Sequence, residues 1–185
     1  MLVDITTYYL EMTTPTALRP KRLERSDLAV TQAHIPSPEL SRFLYTAVGG
    51  RWYWLDRLPW TYQQWRDWLE RPAVSTWVAY LAGTPAGYVE LAAQAAGSVE
   101  IVHLGLLPRF LGQGLGGHLL TVALEEAWRL PDTTRVWVHT DTLDHPSALA
   151  NYSARGMQRY RERTRQCDIP EQSPGPWPGA QVTAH

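Results

Sequence analysis

Two hydrophobic periods divide the chain into elements. Residues 6–12, TTYYLEM, read as a strand. Ser37-Pro38-Glu39 opens a helix, with Ser37 as N-cap and Pro38 at the first helical position, and Gly49-Gly50 stops it after Val48. Thr61 caps a second helix over 62–70, which ends before Pro72. Residues 75–81 and 87–92 are two β-rich runs, and Gly83-Thr84-Pro85 between them signals a hairpin. A longer strand covers 98–107, and a helix over 116–129 is closed by Pro131. Residues 134–140 alternate Val with Trp or His, again a strand pattern. A helix over 146–155 ends at Gly156, and 158–165 form a last strand. From Pro170 the chain is rich in Pro, Gly and Gln, which predicts a disordered or extended arm. There is no internal repeat. The order βααβββαβαβ predicts a mixed α/β domain, antiparallel strands first and a crossover helix later. One domain is expected over 1–169, with a tail over 170–185.

Residues 104–117, LGLLPRFLGQGLGG, stand out within this order. An apolar run ends at Pro108, a glycine-dense loop follows, and a helix starts at once. The first backbone N–H groups of a helix lack partners, and the helix dipole favours negative charge beside them. Glycines let that backbone approach a phosphate and adopt positive φ. The expected ligand therefore carries phosphate.

Composition narrows the classes. A chain of 185 residues that is 44% hydrophobic has room for a real core. A net charge of −1 gives no argument for a nucleic-acid or membrane partner. Basic residues are nearly all arginine, with Lys21 the one lysine, a bias read as compositional and not as a site. The one cysteine, Cys167, excludes an internal disulfide and argues against a cysteine-based zinc site. His103, His118, His139 and His145 have no metal-ligand spacing, so no metal is expected. No apolar run reaches spanning length, and the N-terminus lacks a basic region followed by an apolar core, so a cytoplasmic protein is expected. The unusual number is nine tryptophans, of which Trp52, Trp54, Trp60, Trp65 and Trp68 fall in one short window.

Gly112-Gln113-Gly114-Leu115-Gly116-Gly117 formally fits the dinucleotide fingerprint GxGxxG, and Asp141 ends the next strand as its acidic partner would. Against that reading, Pro108-Arg109-Phe110-Leu111 separate the first glycine from the strand, and too little chain remains for a doubly wound sheet. A second pattern fits better. Leu106-Leu107-Pro108, then Phe110, then Leu111-Gly112-Gln113-Gly114-Leu115-Gly116 resembles the strand-end and R/Q-x-x-G-x-G/A loop of the GCN5-related N-acetyltransferase superfamily, with Leu111 where that family usually has Arg or Gln. A second segment of the same family, N-x-x-A-x-x-x-Y-x-x-x-G-F, is matched in spacing by Ala148, Tyr152 and Gly156, with His145 in place of Asn and Met157 in place of Phe. The resemblance covers residues 76–160 in detail and the whole chain in element order. It implies a mixed, mostly antiparallel twisted sheet flanked by helices, with a V-shaped cofactor splay between central strands.

The resemblance also implies acetyl-CoA or another acyl-CoA as donor, with direct transfer to an amine in a ternary complex. Backbone near Gly105, Leu106 and Leu107 would take the pantetheine arm, and the loop Gly112, Gln113, Gly114, Leu115, Gly116 and Gly117 the pyrophosphate. A base must deprotonate the acceptor ammonium. Glu100 is the first candidate, six residues before Leu106 as in the histone-acetylating branch of the family. Strand alternation puts Glu100 with Val102, Leu104 and Leu106 and sets His103 on the other face. Glu90, on the neighbouring strand, is the second candidate. A backbone N–H near Leu106 is the expected oxyanion donor. Tyr152 matches the family's tyrosine and is the candidate acid for the departing thiolate, the alternative being a packing tyrosine. His145 either bonds CoA or caps the following helix beside Asp144.

The aromatic segment over 51–70 lies where the family builds its acceptor site. Trp65 and Trp68 share a helix face and are expected to pack in the core. Trp52 and Trp54, with Glu90, are candidates for the acceptor pocket, while Arg51, Arg57 and Arg66 offer partners for an acceptor carboxylate. The expected function is transfer of acetyl from acetyl-CoA to a primary amine of a small, aromatic or apolar acceptor, by a monomer or homodimer. Acetylation of a protein N-terminus or lysine, or a CoA-binding sensor without turnover, are the alternatives.

Overall fold

The computed structural model describes residues 1–175. Local signals fix most elements. Helix α1 (Pro38–Gly49) starts where Ser37 Oγ accepts from Leu40 N at 3.2 Å, with Pro38 in the first turn. Helix α2 (Tyr62–Leu69) starts on a capping box: Thr61 Oγ1 accepts from Gln64 N, and Gln64 Oε1 accepts from Thr61 N. Strands β3 (Val74–Leu81) and β4 (Thr84–Ala93) form the expected hairpin. Its two turn residues are Ala82 and Gly83, both at positive φ, so Thr84 and Pro85 belong to the strand instead. The remaining elements are β1 (Leu2–Met12), β5 (Ser98–Leu106), α3 (Leu115–Arg129), β6 (Arg135–Asp141), α4 (Ala148–Ala154) and β7 (Gln158–Asp168). One strand was not anticipated: β2 (Leu28–Gln32) is five residues long, sits at the sheet edge and exists through its pairing with β3.

Seven strands make one sheet in the order β2-β3-β4-β5-β6-β1-β7. Every pair is antiparallel except β5 and β6, which the α3 crossover makes parallel. One face carries α3, whose Leu119, Leu120, Ala123, Leu124 and Ala127 pack on inward residues such as Leu10, Leu91, Ile101 and Val138. The opposite face carries α1, where Leu44 and Val48 pack on Val78 and Tyr88. The sheet is thus sandwiched between helices only over its centre, which is where the site forms. After β7, Tyr53 Oη donates to Glu171 O at 3.3 Å and Gly175 N donates to Gly50 O at 3.3 Å, so the start of the tail lies against the α1–α2 connection. The rest of the tail, 176–185, falls outside the described residues.

Gly156, after α4, is at φ +99°, and a Cβ there would lie 2.0 Å from Ala17 O. Gly156→Ala should therefore cost at least about 2 kcal/mol of stability, from backbone strain plus the clash. Urea unfolding of the variant checks it; a loss within error of zero would mean the α4–β7 turn is not built this way.

Candidate active site

The parallel pair β5–β6 is joined only from Ser98/Arg135 to Ile101/Val138, although both strands run on, to Leu106 and Asp141. The pairing stops at a bulge. Glu90 opposes His103 and Leu91 opposes Ile101, which leaves Val102 without a partner on β4. A bulge bends its strand and raises its twist. From there β5 keeps its ladder with β4 and gives up β6, so one edge of its backbone is open. A cavity of about 690 Å³ fills the splay.

One end of the cavity is the glycine loop. Gly114 is the N-cap of α3 at φ +80°, with no side-chain cap, so the first N–H groups of α3 are not taken up by a capping side chain. Gly112, Gly116 and Gly117 also line the cavity, with Lys21, Asn151 and Arg155. A Cβ on Gly117 would come within 2.7 Å of both Lys21 Cδ and Arg155 Nη1, so glycine there is what lets the two cationic side chains close over the helix start. Lys21 N donates to Thr121 Oγ1 at 2.9 Å, which fastens the β1–β2 connection across α3. Arg155 Nε is buried without a partner. The one lysine, read from composition as no site, is thus a cavity residue, and nothing local in the sequence marks it as one. Gly105 and Leu106 line the cavity, while Leu107, Gln113 and Leu115 do not: Leu107 N is bonded to Ala86 O, Gln113 Nε2 to Arg109 O, and Leu115 is in the core.

Aromatic and acidic groups form the other end. Trp52, Tyr53, Trp54, Asp56, Asp141 and Asp144 line it. Trp54 Nε1 donates to Asp144 Oδ1 at 3.1 Å, tying the α1–α2 connection to the β6–α4 connection across the splay. Trp52 packs edge-on to His145, whose Nδ1 accepts from Ser147 N at 3.1 Å, the turn-capping arrangement. Burial and the neighbouring Asp144 charge raise the Asp141 pKa. Among the described residues neither Asp141 nor Asp144 pairs with a lysine or arginine.

Beneath this end sits a buried ion pair that sequence reasoning did not foresee. Arg57 donates Nη1 and Nη2 to Glu90 at 3.2 and 2.9 Å, and Trp68 Nε1 donates to the same carboxylate at 2.8 Å. The guanidinium lies 4.5 Å from the ring centres of both Trp60 and Trp68. Arg57, which also lines the cavity, is thus bound to Glu90, and Arg66 pairs with Glu70 on the surface, outside the cavity lining. Trp65 packs in the core as expected, and Trp68 does more than pack. Burial works to raise the Glu90 pKa, and its contacts with His103 and Arg57 outweigh that, holding it down at about 2.

The bulge also overturns the expected alternation of β5. Val99, Ile101, Leu104 and Leu106 all belong to the α3-side core. His103 points the other way, among Tyr45, Trp54 and Tyr88, and lines the cavity. Glu100 lies on that same face but is not a lining residue. It accepts from Gln94 Nε2 at 2.7 Å and faces His139 Nδ1 at 3.8 Å, and burial raises its pKa. Tyr152 on α4 is buried, lines the cavity, and has its pKa raised by that burial, so it stays protonated.

The model of the acetyltransferase (GNAT) family matches residues 38–157. This chain belongs to that family. Solved structures agree in fold. A GCN5-related N-acetyltransferase from Kribbella flavida is 18% identical, with a TM-score of 0.65 over 94% of this chain and 60% of that one. A GCN5-related N-acetyltransferase from Sphaerobacter thermophilus is 15% identical, with a TM-score of 0.65 over 88% and 51%. An aminoglycoside acetyltransferase from an uncultured soil metagenomic sample is 16% identical, with a TM-score of 0.58 over 69% and 86%. The chain thus spans 60% and 51% of the length of the first two. No curated protein matches the sequence. Among the described residues of this GNAT domain, no group of three His, Cys, Asp or Glu side chains is arranged to hold a metal ion, and no helix is long and apolar enough to cross a membrane.

Proposed function

We propose that this chain is an acetyl-CoA-dependent N-acetyltransferase acting on the primary amine of a small acceptor. One observation carries the reading: a single cavity runs from a glycine-lined helix N-terminus flanked by Lys21 and Arg155 to an aromatic, aspartate-lined end. The first end suits phosphates and the second suits a cation, so donor and acceptor meet at the splay. The residues fit a CoA-type ligand. The loop glycines keep the backbone bare, the cations supply charge, and the open edge of β5 can pair with an extended amide-bearing arm. Bound there, acetyl-CoA supplies the activated acyl group.

The remaining chemistry belongs to the chain. Trp52 and Trp54 hold the acceptor, and Asp56, Asp141 and Asp144 favour one that arrives as an ammonium. This shifts the expected acceptor from apolar toward cationic. Tyr152, a cavity-lining residue, gives its proton to the departing sulfur. The same reading takes the protein as cytoplasmic, a monomer or homodimer with no nucleic-acid or membrane partner.

Free-thiol release from acetyl-CoA, measured with a panel of small amines and with peptides, tests the reading. Release with small amines supports it. Release only with peptides would make the protein a protein acetyltransferase, and CoA binding without release would make it a sensor. Gly114→Glu puts a charge and a side chain at the helix start, so CoA affinity by calorimetry should fall at least tenfold, about 1.4 kcal/mol. Unchanged affinity in a folded variant would remove the loop from the cofactor site.

A further inference from the structure

We infer that His103, oriented by the Glu90–Arg57 pair, is the general base that takes the proton from the acceptor ammonium. The inference rests on the acetyl-transfer reading and replaces Glu100 in the role given to it by motif spacing. It stands on position first. The bulge at Val102 turns His103 onto the α1 side of the sheet, into the cavity wall, while Glu100 is not part of that wall and faces His139 at 3.8 Å. His103 is enclosed edge-on by Tyr45, with Trp54 4.9 Å away between ring centres. Such packing sets the orientation of the imidazole before a substrate arrives.

The second observation is a polar atom left wanting. His103 Nδ1 is buried with no hydrogen-bond partner and lies 3.8 Å from Glu90 Oε1. Buried polar atoms in folded proteins are nearly always paired, and an exception calls for a role. A movement of under about 1 Å closes this gap to hydrogen-bond length. Glu90 then holds the Nδ1 proton, and Nε2 is left with its lone pair toward the acceptor. Arg57 and Trp68 fix Glu90 from the other side, so the carboxylate cannot swing away.

Charge supports the geometry. The groups facing His103 are Glu90 and Tyr88 from β4, Tyr45 from α1, Arg57 from the α1–α2 connection and His139 from β6. Burial is the largest influence and lowers the His103 pKa, Glu90 opposes it, and Arg57 and His139 add to it. Because Arg57 already neutralises Glu90, burial wins, and the imidazole is neutral at neutral pH, the form a base requires.

The step balances. Nε2 takes one proton from the ammonium and later releases it to solvent. The freed nitrogen pair forms the C–N bond while the C–S pair leaves on sulfur. The second nitrogen proton, lost as the amide forms, replaces the one Tyr152 gives to the sulfur. Glu90 is a positioning residue, because it acts through His103.

The experiment compares wild type, His103→Gln and Glu90→Gln with acetyl-CoA and the best amine of the panel. His103→Gln should lower kcat/KM about 10²–10⁴-fold at neutral pH and bind CoA unchanged by calorimetry. The acid limb of the wild-type kcat/KM profile should be missing from it. Glu90→Gln leaves Arg57 uncompensated, which disfavours the imidazolium, so its acid limb should move to lower pH. A readout independent of turnover is the titration of the ¹⁵N-histidine resonance that His103→Gln removes. It should titrate below the ordinary histidine value of about 6.5, and lower still in Glu90→Gln. Wild-type kcat/KM in folded His103→Gln, or a His103 resonance titrating at or above the ordinary value, overturns the inference. A loss confined to Glu100→Gln also overturns it and returns the role to Glu100 through His139. If wild-type protein releases no thiol with any amine or peptide, the acetyl-transfer reading itself fails.

Discussion

Tyr152→Phe should fold normally, bind CoA nearly as well as the parent and turn over about 10–10³-fold more slowly. The substitution keeps the ring that packs in the α3-side core and deletes only the hydroxyl. A phenol of pKa about 10 is a weak acid for a thiolate whose conjugate acid is near 8.5. Burial raises the Tyr152 pKa further, yet on the proposed reading the thiolate leaves into the cavity that Tyr152 lines, where desolvation raises its proton affinity too. Proton transfer between them is therefore not penalised as it would be if only the tyrosine were buried. A donor thioester with a better leaving group needs less protonation, so it should lose less in the variant. Single-turnover rates with acetyl-CoA and with an activated thioester, acceptor saturating, make the comparison. Equal losses on both donors, or none on either, would leave Tyr152 as a packing residue.

Arg57→Met should destabilise the fold by about 3–5 kcal/mol at neutral pH, because it strands the Glu90 carboxylate in the interior. The arginine and glutamate side chains are 7% and 1% exposed, so water cannot take over. Chemical denaturation measures the loss, and a value under about 1 kcal/mol would mean the pair is not buried as described. The double variant Arg57→Met/Glu90→Gln should recover much of it, since neither charge then remains. The buried Glu90 carboxylate, held down against its burial first by His103 and then by Arg57, also predicts a pH dependence. Glu90 is held at about 2 in the folded protein against an ordinary 4.5, so its contribution is complete above about 4.5 and is lost as pH falls toward 2. In Arg57→Met the carboxyl is expected to titrate above its ordinary range, so the difference between variant and wild type should shrink on acidification.

Much of this fold is legible in short stretches of sequence because the interactions that write it are short. Ser37 and Thr61 cap helices through groups three residues away. The glycine loop and α3 are contiguous, and Ala148, Tyr152 and Gly156 keep their spacing because they share one short helix and its exit. The glycine loop at the start of α3, the order of elements after β2 and the place of Tyr152 on α4 therefore follow from the residues themselves. What lies across strands does not. Strand β2 exists through pairing with β3, some fifty residues further along the chain. The bulge at Val102 is a mismatch between β4 and β5, and alternation along β5 alone cannot say which residue is skipped. That one skipped residue exchanges the faces of His103 and Leu104, and with them the candidate base. Lys21 reaches the glycine loop through a bond to Thr121, and Arg57 reaches Glu90 from a connection without regular structure. Local periodicity thus determines which elements form and where the glycine loop lies. Register and long-range pairing, which depend on two segments at once, decide which side chains meet in the cavity.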